Sequence, residues 1–236
     1  MVSLVLGVHL VCAFGATAVF WVPLAAAKGG PLHIAAGRLY ARLIYATAAT
    51  GAPLAVLLGV TASEPGAART AAFLAYLITI LVQPVHHGIA VVRARRGAFA
   101  PTSFHAVAAW TVMLAGLAMG GAALAWREWG FLLVSPIGPV MGWRALRYAR
   151  NASRLNFPGS ANRENSTGKH FWREEHIVAM VVSGMAVHTA MLVFGLTRTL
   201  QITMEGAAAL VPWLLPALVG LPWLVWRVRR ERRAFS

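Results

Sequence analysis

The chain has 236 residues, 58% of them hydrophobic and only 12% charged, with a mean hydropathy of +0.65. Soluble domains carry about 25% charged residues, so this composition excludes an ordinary water-soluble domain and indicates a membrane class. Lys and Arg outnumber acids 21 to 7 and every acid is Glu. The basic residues sit between apolar runs rather than on one soluble face, which sets nucleic-acid binding aside in favour of topology signals and anionic-lipid contacts.

Seven apolar runs follow one another, at residues 2–27, 39–62, 70–92, 104–126, 129–143, 176–196 and 207–226. About 20 apolar residues suffice to cross a hydrocarbon core of about 30 Å. The expected fold is therefore all-α: one domain over residues 1–236, an integral bundle of seven transmembrane helices in a bacterial-type inner (plasma) membrane.

The first run ends in Ala25, Ala26 and Ala27, which imitates a signal-peptide cleavage site. No Lys or Arg precedes it, and it exceeds the usual apolar core of about 7–15 residues, so it reads as a retained helix. Cys12, the sole cysteine, allows neither an internal disulfide nor a thiolate metal cluster. The loop of Lys28, Gly29, Gly30 and Pro31 leads to the second run, entered through Arg38 and Arg42. The third run holds Gln83, Pro84, Val85, His86, His87 and Gly88, and it ends at Arg93, Arg95 and Arg96. In the fourth, Gly116 and Gly120 form a small-xxx-small pair that lets a helix approach closely.

The fifth run is short and carries Pro136 and Pro139, which predicts a broken or tilted helix. Residues 144–173 then read as the one sizeable loop, polar, basic and mobile. The sixth run starts at His176. The seventh contains Pro212, Pro216 and Pro222 and ends in a tail with Arg227, Arg229, Arg230, Arg232 and Arg233.

With an outside amino terminus, 18 of the 21 Lys and Arg fall on the inner side, leaving Arg69, Arg127 and Arg198 outside. The positive-inside rule thus predicts an outside N-terminus and a cytoplasmic C-terminus. Trp126, Trp129, Trp143, Trp172 and Trp226 fall at run ends, as interfacial belts do.

Several chemistries are set aside. The only lysines, Lys28 and Lys169, lie between runs, so no run supplies a Schiff-base lysine. All seven Glu read as interfacial or loop residues, which weakens carboxylate proton relays and Na⁺ coupling. Neither a Gly-x-Ser-x-Gly elbow nor a Gly-rich phosphate loop is present, and no catalytic residue is assigned.

The eight histidines remain. At about 1.5 Å per residue, His9, His86 or His87, and His188 fall in one middle slab of the bilayer. His33, His105, His170 and His176 form a second tier at the cytoplasmic boundary, where ordinary hydrogen bonding is the commoner role. An imidazole inside the bilayer is costly without a partner, which moves His86, His87 and His188 toward function. Adjacent helix positions differ by about 100°, so only one of His86 and His87 can face a shared centre. His87 is favoured, because Gly88 beside it leaves room for a cofactor or a neighbouring helix.

Several stretches are familiar together: Lys28, Gly29, Gly30, Pro31, Leu32 and His33 leading to Gly37, Arg38, Leu39 and Tyr40; Gly142, Trp143 and Arg144; His176 and Ile177 with Met180, continuing to His188, Thr189 and Ala190; and Trp213, Leu214, Leu215 and Pro216. The set resembles a group of uncharacterised bacterial multi-pass membrane proteins related to a domain family of unknown function. The resemblance covers most of the chain. It implies a seven-helix bundle with the His33 and His176 motifs at the inner face, and it brings no activity or cofactor.

The leading expectation is a redox protein that binds b-type haem, or else zinc or copper, through His9, His86, His87 and His188, with the boundary tier as a further metal site. Against a two-haem stack, His176 and His188 are rotated by about 120° on one helix. A second expectation is a small-molecule transporter or channel whose histidines handle protons or substrate. A third is a membrane interaction or assembly factor with structurally satisfied histidines. The expected partners are the lipid bilayer and anionic headgroups at the cytoplasmic face; no protein partner is specified.

Overall fold

The computed structural model describes residues 2–64, 66–94, 103–155 and 166–233, the side chains of 94, 103, 151–155, 166–171 and 198 excepted. Its elements are α1 (Val2–Ala25), α2 (Pro31–Thr61), α3 (Ala67–Ala94), α4 (Ser103–Trp126), α5 (Trp129–Val134), α6 (Ile137–Leu155) and α7 (Ser166–Ala190). A π-helical turn (Met191–Leu196), the short α8 (Thr197–Thr199), a 3₁₀ turn (Gly206–Leu210) and α9 (Val211–Arg233) complete it, with no strand among the described residues.

Six stretches are long and apolar enough to cross a membrane: Val2–Ala25, Pro31–Thr61, Ala67–Arg93, Phe104–Trp126, Trp172–Leu196 and Gly206–Arg233. This makes a helical membrane protein with six such stretches rather than the expected seven; the difference lies at the fifth run, for which a broken or tilted helix is expected. That run is broken into the six-residue α5 and the start of α6. Pro136 has no N–H to give to the Leu132 carbonyl four residues back, and the Ser135 hydroxyl takes that carbonyl instead at 2.9 Å.

The expected loop over 144–173 is also corrected. Its first part is helical to Leu155 and its last part from Ser166, while residues 156–165 lie outside the described residues. The reason is amphipathicity. Met141, Gly142, Ala145 and Tyr148 are buried while Trp143, Arg147 and Arg150 are exposed, which is the 3.6-residue period of a helix with one packed face. A search for unbroken apolar runs stops at the first arginine and misses it.

The chain divides into two compact units, and the divisions fall inside α3, α7 and α9. The first joins Met1–Val82 with Gly184–Pro216, and the second joins Gln83–Ser183 with Ala217–Ser236. In the first, α1 and α2 form a hairpin whose turn is closed by its own residues. Gly29 adopts the left-handed φ of 78°, and Pro31 starts α2 where its missing N–H costs nothing. The Lys28 ammonium donates to the last carbonyls of α1, at Pro23 (2.7 Å) and Leu24 (2.6 Å). Phe20, Tyr40 and Ile44 are buried, and Phe73, Phe194 and Trp213 meet as a second aromatic group, Trp213 edge-on to both phenylalanines.

In the second unit, α5 and α6 run back along α4. Gly120 faces the Ser135 hydroxyl, Gly116 faces Ser135 and Pro139, and Gly142 faces Ala109 and Met113. The small-xxx-small pair therefore serves close packing.

Candidate functional site

The buried polar residues of the second unit converge. On α3, Gln83 and His87 lie one turn apart and both are buried, His87 completely. Its Nε2 is 3.4 Å from Oε2 of Glu175 on α7, itself only 4% exposed. The other carboxylate oxygen, Oε1, accepts a hydrogen bond from Arg144 of α6 at 2.9 Å. The imidazole of buried His105, at the start of α4, lies 5.3 Å from the His87 ring, and Tyr148 of α6 stands edge-on to it at 5.5 Å. Four helices thus each contribute to one ionisable cluster.

The two ring nitrogens of His87 are not equivalent. Nε2 faces the carboxylate, whereas the buried Nδ1 has no hydrogen-bond partner among the described residues, nor does the Gln83 Oε1 atom on the same helix face. A carboxylate can only accept, so Nε2 carries a proton and a neutral ring leaves its lone pair on Nδ1. Outside this core, Glu174 pairs with Arg232 of α9 through two hydrogen bonds of 2.9 and 2.6 Å, and Arg227 pairs with Glu231.

His86 is half-buried, against Phe104 at 5.0 Å and His105 at 6.0 Å, so the dipeptide splits its roles as helix geometry demands. Gly88 leaves room for a neighbouring helix. A side chain there would meet Met180 and Ala179 of α7, and its carbonyl accepts from His176 Nδ1 at 2.9 Å. His105, assigned from the sequence to the boundary tier, thus belongs with His87. The division into two tiers does not describe this unit.

In the first unit, His9 presents Nδ1 to the Thr47 carbonyl and to Thr50 Oγ1, both at 3.1 Å, over Gly51. His33 donates from Nδ1 to the Pro23 carbonyl at 3.0 Å, tying the start of α2 to the end of α1. His188 donates from Nδ1 to the Gly184 carbonyl at 2.7 Å, with the rings of Phe20 and Trp21 edge-on at 5.3 Å. Its Nε2 is buried and has no partner among the described residues. His188 therefore sits at the level of Phe20 on α1, about 17 Å along that helix from His9, so the expected common slab does not hold for these two. The side chain of His170 lies outside the described residues.

The sequence reading missed Glu175, Arg144, Tyr148 and Gln83. It took Glu175 for an interfacial or loop residue because it immediately precedes the sixth apolar run, which starts at His176. The available signal was register: Glu175, Ala179, Ser183 and Ala186 fall on one buried helix face. Among the described residues no group of three or more His, Cys, Asp or Glu is arranged to hold a metal ion. Comparison with known protein families, curated proteins and solved structures yields no match for this chain.

Proposed function

We propose that this is a membrane transporter or channel that moves protons, alone or coupled to a small solute, through the His87–Glu175 pair. The observation that carries the reading is this buried pair at 3.4 Å, with one histidine nitrogen on the carboxylate and the other unpartnered. Ionisable groups in a membrane span are costly and mark proton and ion pathways. A proton taken up at His87 Nδ1 is balanced by one released from Nε2–H to Glu175; the carboxylate then releases its proton to the far side, and a rotation of the imidazole that brings its remaining N–H back to the carboxylate resets the pair. Arg144 supplies the counter-charge that lets the carboxylate sit among apolar helices.

We also read α5 and α6 together as a seventh, broken crossing in a bacterial-type inner membrane. What supports this is their course along α4 from Gly120 to Ala109. On this reading the two termini lie on opposite sides and the arginines of α6 join the other basic loops.

The test is proton flux into proteoliposomes under an imposed potassium diffusion potential, read by an entrapped pH dye. His87→Asn and Glu175→Gln should each reduce flux at least tenfold while the protein stays monodisperse. Unchanged flux in folded Glu175→Gln would reduce the cluster to a structural brace, as in an assembly factor.

A second reading keeps the redox expectation. Its support is His188, whose Nδ1–H is held by a carbonyl and whose Nε2 is left buried and unpartnered; this is the tautomer that an iron, copper or zinc ligand adopts. A Soret band lost in His188→Ala would establish a haem there.

A further inference from the structure

The exposed face of α9 changes chemistry along its length. Leu221, Val225, Trp226, Arg229, Arg230 and Arg233 line one shallow groove, linked by spacings of three and four residues that share a helix face. Its first half is apolar and exposed, with Leu221 at 49% and Trp226 at 53%. Its second half is three arginines. The junction is built, since the Arg230 guanidinium lies over the Trp226 ring at 5.5 Å from its centroid. Of the other tail arginines, Arg232 pairs with Glu174 and Arg227 with Glu231.

An apolar strip about two turns long that ends in clustered guanidinium groups matches one class of molecule. It needs an anionic phosphate at one end and a hydrocarbon chain at the other. A soluble phosphate would leave Leu221 and Val225 uncovered, and a zwitterionic lipid would bring its own cation against the arginines.

We propose that this groove is a docking site for one anionic glycerophospholipid. An acyl chain lies along Leu221, Val225 and Trp226, and the phosphate is held between Arg229, Arg230 and Arg233. Guanidinium pairs with phosphate oxygens through two parallel hydrogen bonds, which a diffuse surface charge does not do. The site is separate from the His87 cluster, and its failure leaves the proton reading untouched.

The experiment titrates the full chain, in a neutral detergent, with phosphatidylglycerol or phosphatidylcholine and counts bound lipid by native mass spectrometry. Phosphatidylglycerol should bind the wild type more tightly than phosphatidylcholine. Arg229→Gln/Arg230→Gln should weaken phosphatidylglycerol at least tenfold, about 1.4 kcal/mol. Arg147→Gln/Arg150→Gln removes the same charge from exposed positions of α6 and should weaken it less than threefold. Trp226→Ala, which alters no charge, should weaken it at least threefold. All these positions are exposed, and a thermal melt confirms that each variant is folded. Equal losses in the two double variants, or an unaffected Trp226→Ala, would overturn the groove in favour of diffuse attraction.

Discussion

Glu175 is held by two cationic or potentially cationic neighbours, and that arrangement makes the Arg144 contact expensive to break from one side only. Removing one partner of a buried ion pair leaves an uncompensated charge and costs about 3–5 kcal/mol. Arg144 is partly solvated, with 26% of its side chain exposed, so the lower end applies, about 3 kcal/mol. Arg144→Met should therefore lower the thermal midpoint clearly, and Arg144→Met/Glu175→Gln should recover most of the loss. Additive losses in the double-mutant cycle would show that the two side chains do not interact. The histidine half of this cluster was legible in the sequence, because a His-His pair inside an apolar run stands out. The glutamate half was not, because distance from the nearest arginine is a poor guide to burial once a helix extends past the bilayer edge. Arg173, Glu174 and Glu175 are adjacent in sequence, yet the first two pair with Glu231 and Arg232 of α9 while Glu175 turns inward to Arg144 and His87.

At the level of elements, apolar run length captured α1, α3, α4 and the apolar parts of α2, α7 and α9, and it failed where a helix is amphipathic or broken. α6 is both. A β-carbon added at its Gly142 would run into the Ala109 carbonyl oxygen and lie 2.8 Å from the Met113 β-carbon. Gly142→Ala should force α4 and α6 apart and cost about 1–3 kcal/mol, the range for overpacking a close contact. Gly121, on the other side of α4, has nothing within 4 Å. Gly121→Ala should be neutral or slightly stabilising, since alanine is the better helix former. Thermal melts of the two variants in the same detergent compare them directly. Equal destabilisation would mean that the α4–α6 approach is looser than its geometry implies. The histidines that begin α2 and lie early in α7 were visible as a recurring device. Their role emerges only from the fold: His33 and His176 each donate Nδ1–H to a carbonyl of another helix, Pro23 and Gly88.

For the whole molecule, the membrane class followed from composition alone, whereas the number of crossings depends on how the α5–α6 segment is read. Single cysteines resolve it. In a Cys12→Ser background, a cysteine at position 128 and one at position 160 should label from opposite sides of intact cells or oriented vesicles, with 160 protected from outside reagent. Labelling of both positions from the same side would sink the seventh crossing, and labelling of 160 from the outside with 128 protected would invert the orientation drawn from basic residues. The π turn at Met191–Leu196 carries a consequence of another kind. Its amide bonds reach five residues back, as Thr197 does to Leu192, so the turn holds one residue more than an α-helical path of the same length. In the arithmetic of insertions and deletions, Met191–Leu196 is a tolerated extra position. Any related chain that lacks the π turn should align with this one only through a single-residue gap there, and the repeat of buried positions after the gap should be offset by one from the repeat before it.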